Sequence, residues 1–431
     1  MKKKLNIAII GLGTIGSYLY KYLNKNKKFL QKKTNILLNI SHVSAKNIRK
    51  KRSVFIHKSK WLKNYMDCVK DKDIDIIIEL IGGSDGAAKK LVFSALKNKK
   101  HVITANKALI AKYGDELSVI AEKNKVNLEF EAAVCGGLPI IRSIKEGFIS
   151  NNIYKVEGIF NGTSNYILSS MDKYKLSFKE ALLKAQKLGY AESNPLSDIS
   201  GEDVSSKLKI LSALSFNSKI NHKIYVEGIK SVDQIDINNA NQLGYKIKLL
   251  GVSEFKKNKI TQRVHPCLVK NSSYVASIDG VLNAVIINGK PVGESIIQGE
   301  GAGPEPTTSA LVSDLTSIMR GNIKYPFSLS SNERKKLDFD TILNQEFSSY
   351  IRLDVFDKHG VLSNITKVFA LNKVSIKRLI QNPIKSKKYS SIIIITHKVK
   401  DINLIKTIRS LENKKYLIQK PKLIRINEGN N

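Results

Sequence analysis

The chain has almost no cysteine: three in 431 residues, at Cys68, Cys135 and Cys267. An odd, widely scattered set builds no disulfide framework and has no zinc-ligand spacing. That fits a reducing, cytoplasmic compartment. No apolar run approaches the roughly eighteen residues that a membrane-crossing helix needs. The start, Met1 to Lys4 followed by Leu5 to Leu12, imitates a secretory signal, basic and then apolar. No small-residue cleavage site follows, and the apolar stretch dissolves into a glycine pattern, so no signal peptide is expected. Acidic residues are scarce as well. Asp and Glu number 37 against 72 Lys and Arg, a formal net charge of +35. Residues 1–66 hold seventeen basic side chains and no acidic one.

Such a charge raises nucleic-acid binding as a possible role. The lysines, however, are spread along the whole chain, with no concentrated basic tail and no aromatic-interleaved RNA motif. That distribution fits a composition biased toward lysine, asparagine and isoleucine. It implies no specific nucleic-acid partner, only salt-sensitive sticking to polyanions. With 42% hydrophobic and 25% charged residues the chain is globular, and its length calls for two or three domains.

The pattern opens with a strand at Leu5–Ile10, a glycine turn and a helix from about Thr14 to Lys25. Strands at Ile36–Val43, Asp75–Leu80, His101–Thr104 and Asn127–Glu131 alternate with helices at Asp85–Asn98 and Asp115–Asn124. Alternation of this kind implies an α/β, doubly wound parallel sheet of Rossmann type over residues 1–134. From about residue 135 to 303, helices near 139–149, 163–172, 178–188 and 201–216 mix with strands near 153–160, 245–253, 260–269 and 282–288. This reads as an α+β domain for substrate binding and dimerisation. A helix near 304–320 returns to the first domain, and the polar stretch 321–347 reads as a linker. Residues 348–431 follow a βαββαβ order, the signature of a ferredoxin-like unit.

Gly11-Leu12-Gly13-Thr14-Ile15-Gly16 follows a strand and opens a helix, the context in which this spacing binds a dinucleotide. Its glycines let the backbone approach a pyrophosphate, whose charge the helix N-terminus stabilises. The acidic residue that would hold a ribose 2′-hydroxyl, about twenty residues further on, is missing. Lys46, Arg49, Lys50, Lys51 and Arg52 cluster where a 2′-phosphate would lie. NADP(H) is therefore preferred over NAD(H). Thr104-Ala-Asn-Lys107 ends a strand of the parallel sheet, so Lys107 can reach the crevice where nicotinamide and substrate meet.

Glu192, Asp198, Asp203 and Lys207 place three carboxylates and an ammonium in sixteen residues. Asp203 and Lys207 lie four apart in a helix-compatible run and share a face. Taken alone, the pair could be a surface ion pair. With the glycine turn it suggests a dehydrogenase acting on a small substrate that bears an amine and a hydroxyl.

Seven segments then carry a resemblance. They are the glycine turn, Thr104–Lys107, Glu131-Ala-Ala-Val-Cys-Gly-Gly-Leu-Pro139, Asn161-Gly-Thr-Ser-Asn-Tyr166, Leu188–Glu192, Asp198–Lys207 and Gly301-Ala-Gly-Pro-Glu-Pro-Thr307. In this order they resemble homoserine dehydrogenases, which interconvert L-homoserine and L-aspartate 4-semialdehyde with a nicotinamide cofactor on the way to threonine, methionine and isoleucine. The resemblance implies that Lys207 transfers the proton and that Lys107 flanks the reacting carbon. It implies further that Glu192 and Asp203 hold the substrate with Asp198 assisting. Gly189, Gly303, Leu12, Thr14 and Ile15 would touch the cofactor. It also implies a sodium- or potassium-like ion on Glu131, Val134, Gly136 and Leu138. Here the chain departs from the family by placing Cys135 where glycine is usual. If that position requires positive φ, cysteine is strained and the ion site weakened.

Asp357-Lys-His-Gly360-Val-Leu362 and Ser391–His397 resemble an ACT domain, an amino-acid-sensing unit. That resemblance implies a homo-oligomer, dimer or tetramer, with threonine as the effector, and a single-activity form of the enzyme. A unit kept only for dimerisation is the alternative there. For the whole chain the alternatives are another amino- or hydroxy-acid dehydrogenase and a catalytically weakened amino-acid sensor.

Overall fold

A computed structural model describes residues 4–383 and 389–429. Five strands, β1 (Lys4–Ile10), β2 (Leu37–Ser44), β3 (Ile76–Glu79), β4 (His101–Thr104) and β5 (Leu128–Glu129), form a parallel sheet in the order β2-β1-β3-β4-β5. The order reverses between β1 and β3, and ligands of such sheets bind outside the carboxyl ends at that switch point. The glycine turn sits there, directly after Ile10. The helix Thr14–Lys25 buries Leu19, Tyr20 and Leu23, one face at three- and four-residue spacing. The helix Pro304–Met319 joins the same core through Leu311, Leu315 and Ile318.

Local differences from the sequence reading have identifiable causes. The helix expected from Asp115 begins at Lys107, because Asn106 Oδ1 accepts the Leu109 N–H at 3.1 Å and caps it early. The strand expected over 127–131 is confined to Leu128–Glu129. Beyond it the Glu131 N–H is held by Asp314 and its carboxylate receives two N–H groups from residues 141 and 142, which turns the chain away. An unexpected helix, Lys27–Thr34, buries only Leu30 and so has no apolar period to read.

The second sheet is larger. Its strands β6 (Asn152–Ile159), β7 (Tyr225–Val226), β8 (Tyr245–Lys256), β9 (Lys259–Lys270), β10 (Leu282–Lys290), β11 (Gly293–Glu300) and β12 (Asp338–Phe339) are followed by β13 (Glu346–Phe347) and β14 (Ser349–Phe356). Then come β15 (Ile376–Pro383), β16 (Tyr389–Thr396), β17 (Val399–Lys400) and β18 (Lys422–Asn427). The main order is β11-β10-β6-β8-β9-β18-β14-β16-β15, with β7 and β12 also on β9, while β13 and β17 pair apart from it as a separate two-stranded sheet. β18-β14-β16-β15, with the helices Val361–Leu371 and Asp401–Glu412, is the ferredoxin-like unit. Its edge strand β18 runs parallel to β9, Arg425 facing Cys267, so one sheet passes from the α+β region into the C-terminal unit.

Buried ion pairs fasten that junction. Across it Arg352 Nε lies 2.7 Å from Asp236 and Arg425 Nη1 lies 3.4 Å from Glu227, while Asp401, within the C-terminal unit, holds Arg425 Nε at 2.7 Å. The stretch 321–347 contributes Arg334, among the largest fully buried side chains, paired with Asp115 at 2.8 Å and stacked on Phe327. The three cysteines are free and buried. Among the described residues no helix is long and apolar enough to cross a membrane.

Candidate active site

The glycine turn is pinned by β2: Gly11 N–H and Leu12 N–H both donate to Ser44 O, at 2.9 and 3.2 Å. The first intrahelical bond runs from Ser17 N–H to Gly13 O at 3.0 Å. The N–H groups of Thr14, Ile15 and Gly16 therefore have no acceptor within the helix. A Cβ on Gly11 would lie 2.4 Å from Leu80 O, whereas one on Gly13 would meet nothing within 4 Å. The first glycine is thus required by the fold, and the second faces open space that a ligand can fill. A cavity of about 270 Å3 adjoins the turn, lined by Leu12, Gly13, Thr14, Lys50, Lys51 and Pro304. Donor geometry, open glycine and basic rim all fit a dinucleotide phosphate. Arg52 has a different task. Its guanidinium donates to the carbonyls of Leu12, Asn47, Ile48 and Lys50 at 2.6–3.1 Å and stacks on Trp61. It builds the loop that presents Lys50 and Lys51.

Gly303 caps the helix that starts at Pro304, beside the same cavity. Thr104 is fully buried, donating to Glu79 Oε2 at 2.6 Å and accepting the Asn106 N–H at 2.9 Å. Its side chain thus braces the end of β4 and the start of the helix carrying Lys107. Gly189 is exposed, just past the helix Phe178–Lys187.

Four of the expected side chains converge. Lys107 Nζ lies 2.8 Å from Asp203 Oδ1, and Lys207 Nζ lies 2.8 Å from Asp203 Oδ2. Lys207 also donates to the carbonyl of Phe160 at 2.6 Å. Asn161 Nδ2 bridges Asp203 Oδ2 at 2.9 Å and Asp198 Oδ1 at 2.8 Å. Gly201, at φ +87°, ends the short helix Leu196–Ser200 and starts Glu202–Ser215, which aims Asp203 and Lys207 into the same site. Asp203 falls in the first turn of that helix, where the dipole favours a carboxylate. Asp203 and Lys207 are only 5% and 8% exposed, so neither charge is tolerable without the other.

Burial alone would raise the Asp203 carboxyl pKa, but the Lys207 and Lys107 ammoniums and Asn161 outweigh it and hold it well below the usual range. Burial would likewise lower Lys207, yet Asp203 reverses the sign and holds its pKa above that of an ordinary lysine. Asp198, desolvated and near Asp203, is raised despite the Asn161 bond. The cluster therefore keeps an ammonium at a buried position, the arrangement that stabilises and protonates a developing alkoxide.

Glu192 does not join this cluster in the contacts described. It lies exposed on the loop after Gly189, its backbone carbonyl accepting from Gln186 Nε2 at 3.1 Å. That loop is tied to the site's rim by Thr163 Oγ1, which donates to Tyr190 O at 2.6 Å, and by the rings of Tyr166 and Tyr190, 4.9 Å apart. Sequence reasoning gave Asn161 and the Phe160 carbonyl no role. The signal was there for Asn161, since an asparagine directly before a helix marks an N-cap, and its Oδ1 accepts the Ser164 N–H at 2.7 Å.

The loop from Glu131 to Leu138 lies beside this cluster. Cys135 adopts φ +53°, the left-handed conformation, and is 1% exposed. Its Sγ accepts from Asn283 Nδ2 at 3.4 Å. Both oxygens of Glu131 accept backbone N–H groups, from Ile141 and Arg142, at 2.8 Å, and the Leu138 carbonyl accepts the Ile140 N–H at 2.8 Å. Each of these oxygens keeps a further lone pair, so the donor set remains compatible with a hard monovalent ion. Burial pushes the Glu131 pKa up to about 7 against the two N–H bonds. Among the described residues no group of three or more His, Cys, Asp or Glu could hold a metal ion.

A glycine turn at the switch point of a parallel sheet, facing a buried lysine–carboxylate cluster, defines a nucleotide-dependent oxidoreductase. Comparison with known families matches residues 11–131 to "Homoserine dehydrogenase, NAD binding domain", 139–316 to "Homoserine dehydrogenase" and 349–414 to "ACT domain". Similar proteins include homoserine dehydrogenases of Helicobacter pylori, 37% identical over 99% of this chain and 100% of that protein, and of Neisseria gonorrhoeae, 38% identical over 95% of each. The homoserine dehydrogenase structure from Thiobacillus denitrificans superposes with a TM-score of 0.92 at 36% identity, covering 99% of each chain. The chain belongs to the homoserine dehydrogenase family, as an NAD(P)-dependent oxidoreductase with a C-terminal ACT domain.

Proposed function

We propose that this homoserine dehydrogenase works with NADP(H) in preference to NAD(H), and that Lys207 is its proton donor and acceptor. The observation that carries the second point is the closure of Lys107 and Lys207 on one buried carboxylate. When bound, the nicotinamide carries the hydride. In reduction of the semialdehyde, Lys207 gives its proton to the oxygen while Lys107 flanks the reacting carbon and adds positive charge beside it. In oxidation the same amine removes the hydroxyl proton. Asp203 orients both ammoniums, Asp198 lies at hydrogen-bond reach of Asn161 beside it, and Glu192 on its loop is the partner assigned to the substrate's ammonium.

The cofactor preference is supported by Lys50 and Lys51 on the rim of the dinucleotide cavity and by the lack of any acid in residues 1–66. Gly11 to Gly16, Thr104, Gly189 and Gly303 complete the cofactor set. A sodium or potassium ion on Glu131, Val134, Gly136 and Leu138 would order the loop behind Lys207, weakened by the strained Cys135. We read the domains as 1–134 with 304–320, 135–303 and 348–431, in a cytoplasmic homo-oligomer of threonine, methionine and isoleucine synthesis that L-threonine inhibits through the ACT unit.

Nicotinamide absorbance followed with L-homoserine and NADP+ or NAD+, with and without L-threonine, tests the reading. Faster turnover with NADP+ and inhibition by threonine are expected. Equal rates with both nucleotides would remove the preference, and insensitivity to threonine would remove the effector.

A further inference from the structure

One face of the second sheet turns toward the ACT unit. Lys155 on β6 pairs with Glu254 on β8, and Val252 with Arg263 on β9, so these side chains and His265 share that face. A cavity of about 180 Å3 separates them from the segments Gln345–Ser348 and Ile426–Gly429 and from Lys398.

Its charge is unlike that of the rest of the chain. Lys155, Arg263 and Lys398 face Glu254, Glu346 and Glu428, an even balance in a protein with 72 basic and 37 acidic residues. Arg263 is 7% exposed and its guanidinium stacks on Phe347, 5.4 Å from the ring centre. Its ion pair is long, 3.4 Å to Glu254, and among the described residues its buried Nη1 has no partner. A planar, oriented, under-bonded guanidinium is matched by a carboxylate. On the opposite wall, Glu428 is held by Ser348 Oγ at 2.9 Å and by the exposed Lys398 at 2.6 Å, a contact that a ligand ammonium can replace.

We propose that this seam binds a small zwitterionic α-amino acid, its carboxylate on Arg263 and its ammonium on Glu428. The proposal rests on the reading that the ACT unit senses an amino acid, and places the ligand between that unit and the catalytic sheet. The position links ligand to catalysis through one strand. Ser253, between Val252 and Glu254 and facing the other way, shares a 2.8 Å hydrogen bond with Ser212 of the helix that carries Lys207.

The test uses the full chain, screening each proteinogenic amino acid by thermal shift and measuring L-threonine and any other hit by calorimetry. Arg263→Lys keeps the charge and removes the fork. Glu428→Gln is nearly isosteric and lies just past β18, so it removes the charge with little change of shape. Asp357→Asn alters the first loop of the ACT unit instead. The seam site predicts that Arg263→Lys and Glu428→Gln each weaken binding about tenfold or more, the effect of losing a charge-assisted hydrogen bond. Homoserine oxidation without amino acid stays near wild type. Unchanged binding in both seam variants, with loss in Asp357→Asn, would overturn the seam site and leave amino-acid sensing intact. No binding by the wild-type protein would overturn both.

Discussion

Lys107 and Lys207 share one carboxylate from opposite sides: each ammonium lies 2.8 Å from its own oxygen of Asp203. Lys107 opens the helix after β4 of the nucleotide-binding sheet, whereas Lys207 lies one turn into the helix Glu202–Ser215. Asp203 therefore ties the helix after β4 to the helix Glu202–Ser215.

That coupling fixes a pH dependence. Asp203 overcomes the desolvation of Lys207 and raises its pKa above an ordinary lysine's, which is about 10.4. The amine stays protonated at neutral pH, the state required of the proton donor proposed above. To accept one from homoserine it must first be deprotonated. The rate of homoserine oxidation should climb with pH through the alkaline range, while semialdehyde reduction falls there. Rate profiles in both directions check this, and an oxidation rate flat between about pH 7 and 10 would speak against the lysine as base.

Asn161 is a positioning residue, holding Asp198 and Asp203 with one amide while capping the helix Gly162–Tyr174 with the other end. Asn161→Ala should lower kcat about tenfold to a hundredfold through misplacement of the acids, with KM for the nucleotide little changed. Asn161→Asp should be worse, because a third carboxylate meets two others. Near wild-type kcat in Asn161→Asp, which keeps a good N-cap, would limit Asn161 to capping the helix.

Lys50 and Lys51 are exposed on the rim of the dinucleotide cavity, whereas Arg52 is engaged by backbone carbonyls. Lys50→Ala combined with Lys51→Ala should raise KM for NADP+ about tenfold and leave KM for NAD+ near wild type, as loss of phosphate contacts demands. A parallel rise for both nucleotides would trace the effect to the loop's shape. Arg52→Ala, which unties the loop, should impair both.

Replacing potassium or sodium by tetramethylammonium at constant ionic strength tests the ion site proposed on the Glu131 loop. A several-fold loss of kcat is expected, restored by either metal ion and absent in Glu131→Gln. Cys135→Gly relieves a left-handed conformation that costs a non-glycine residue about 1–2 kcal/mol and should reduce the ion concentration required. Identical kcat in all three salts would dismiss the ion.

Much of this was legible in the sequence because local signals agreed with the fold. Gly11 to Gly16 after an apolar strand located the switch point, and the helix Thr14–Lys25 follows from Leu19, Tyr20 and Leu23 on one face. The Asp203–Lys207 pair followed from helical spacing. Distant contacts were not legible. Lys107 and Asp203 are ninety-six positions apart, and only the tertiary fold brings them together. The β9–β18 pairing joins strands of ordinary composition, so no residue announces that the ACT sheet continues the catalytic one. Glu192 carries a motif, but its exposed loop has no packing that fixes a carboxylate in advance of substrate.

The most direct measurement is single-turnover hydride transfer from L-homoserine to NADP+ in Lys207→Ala, with nucleotide affinity determined on the same protein. The rate should fall by about a hundredfold to ten-thousandfold, the contribution of a positioned proton-transfer group, while NADP+ binds as in the wild type. A rate near wild type, with the nucleotide bound, would contradict the role given to Lys207.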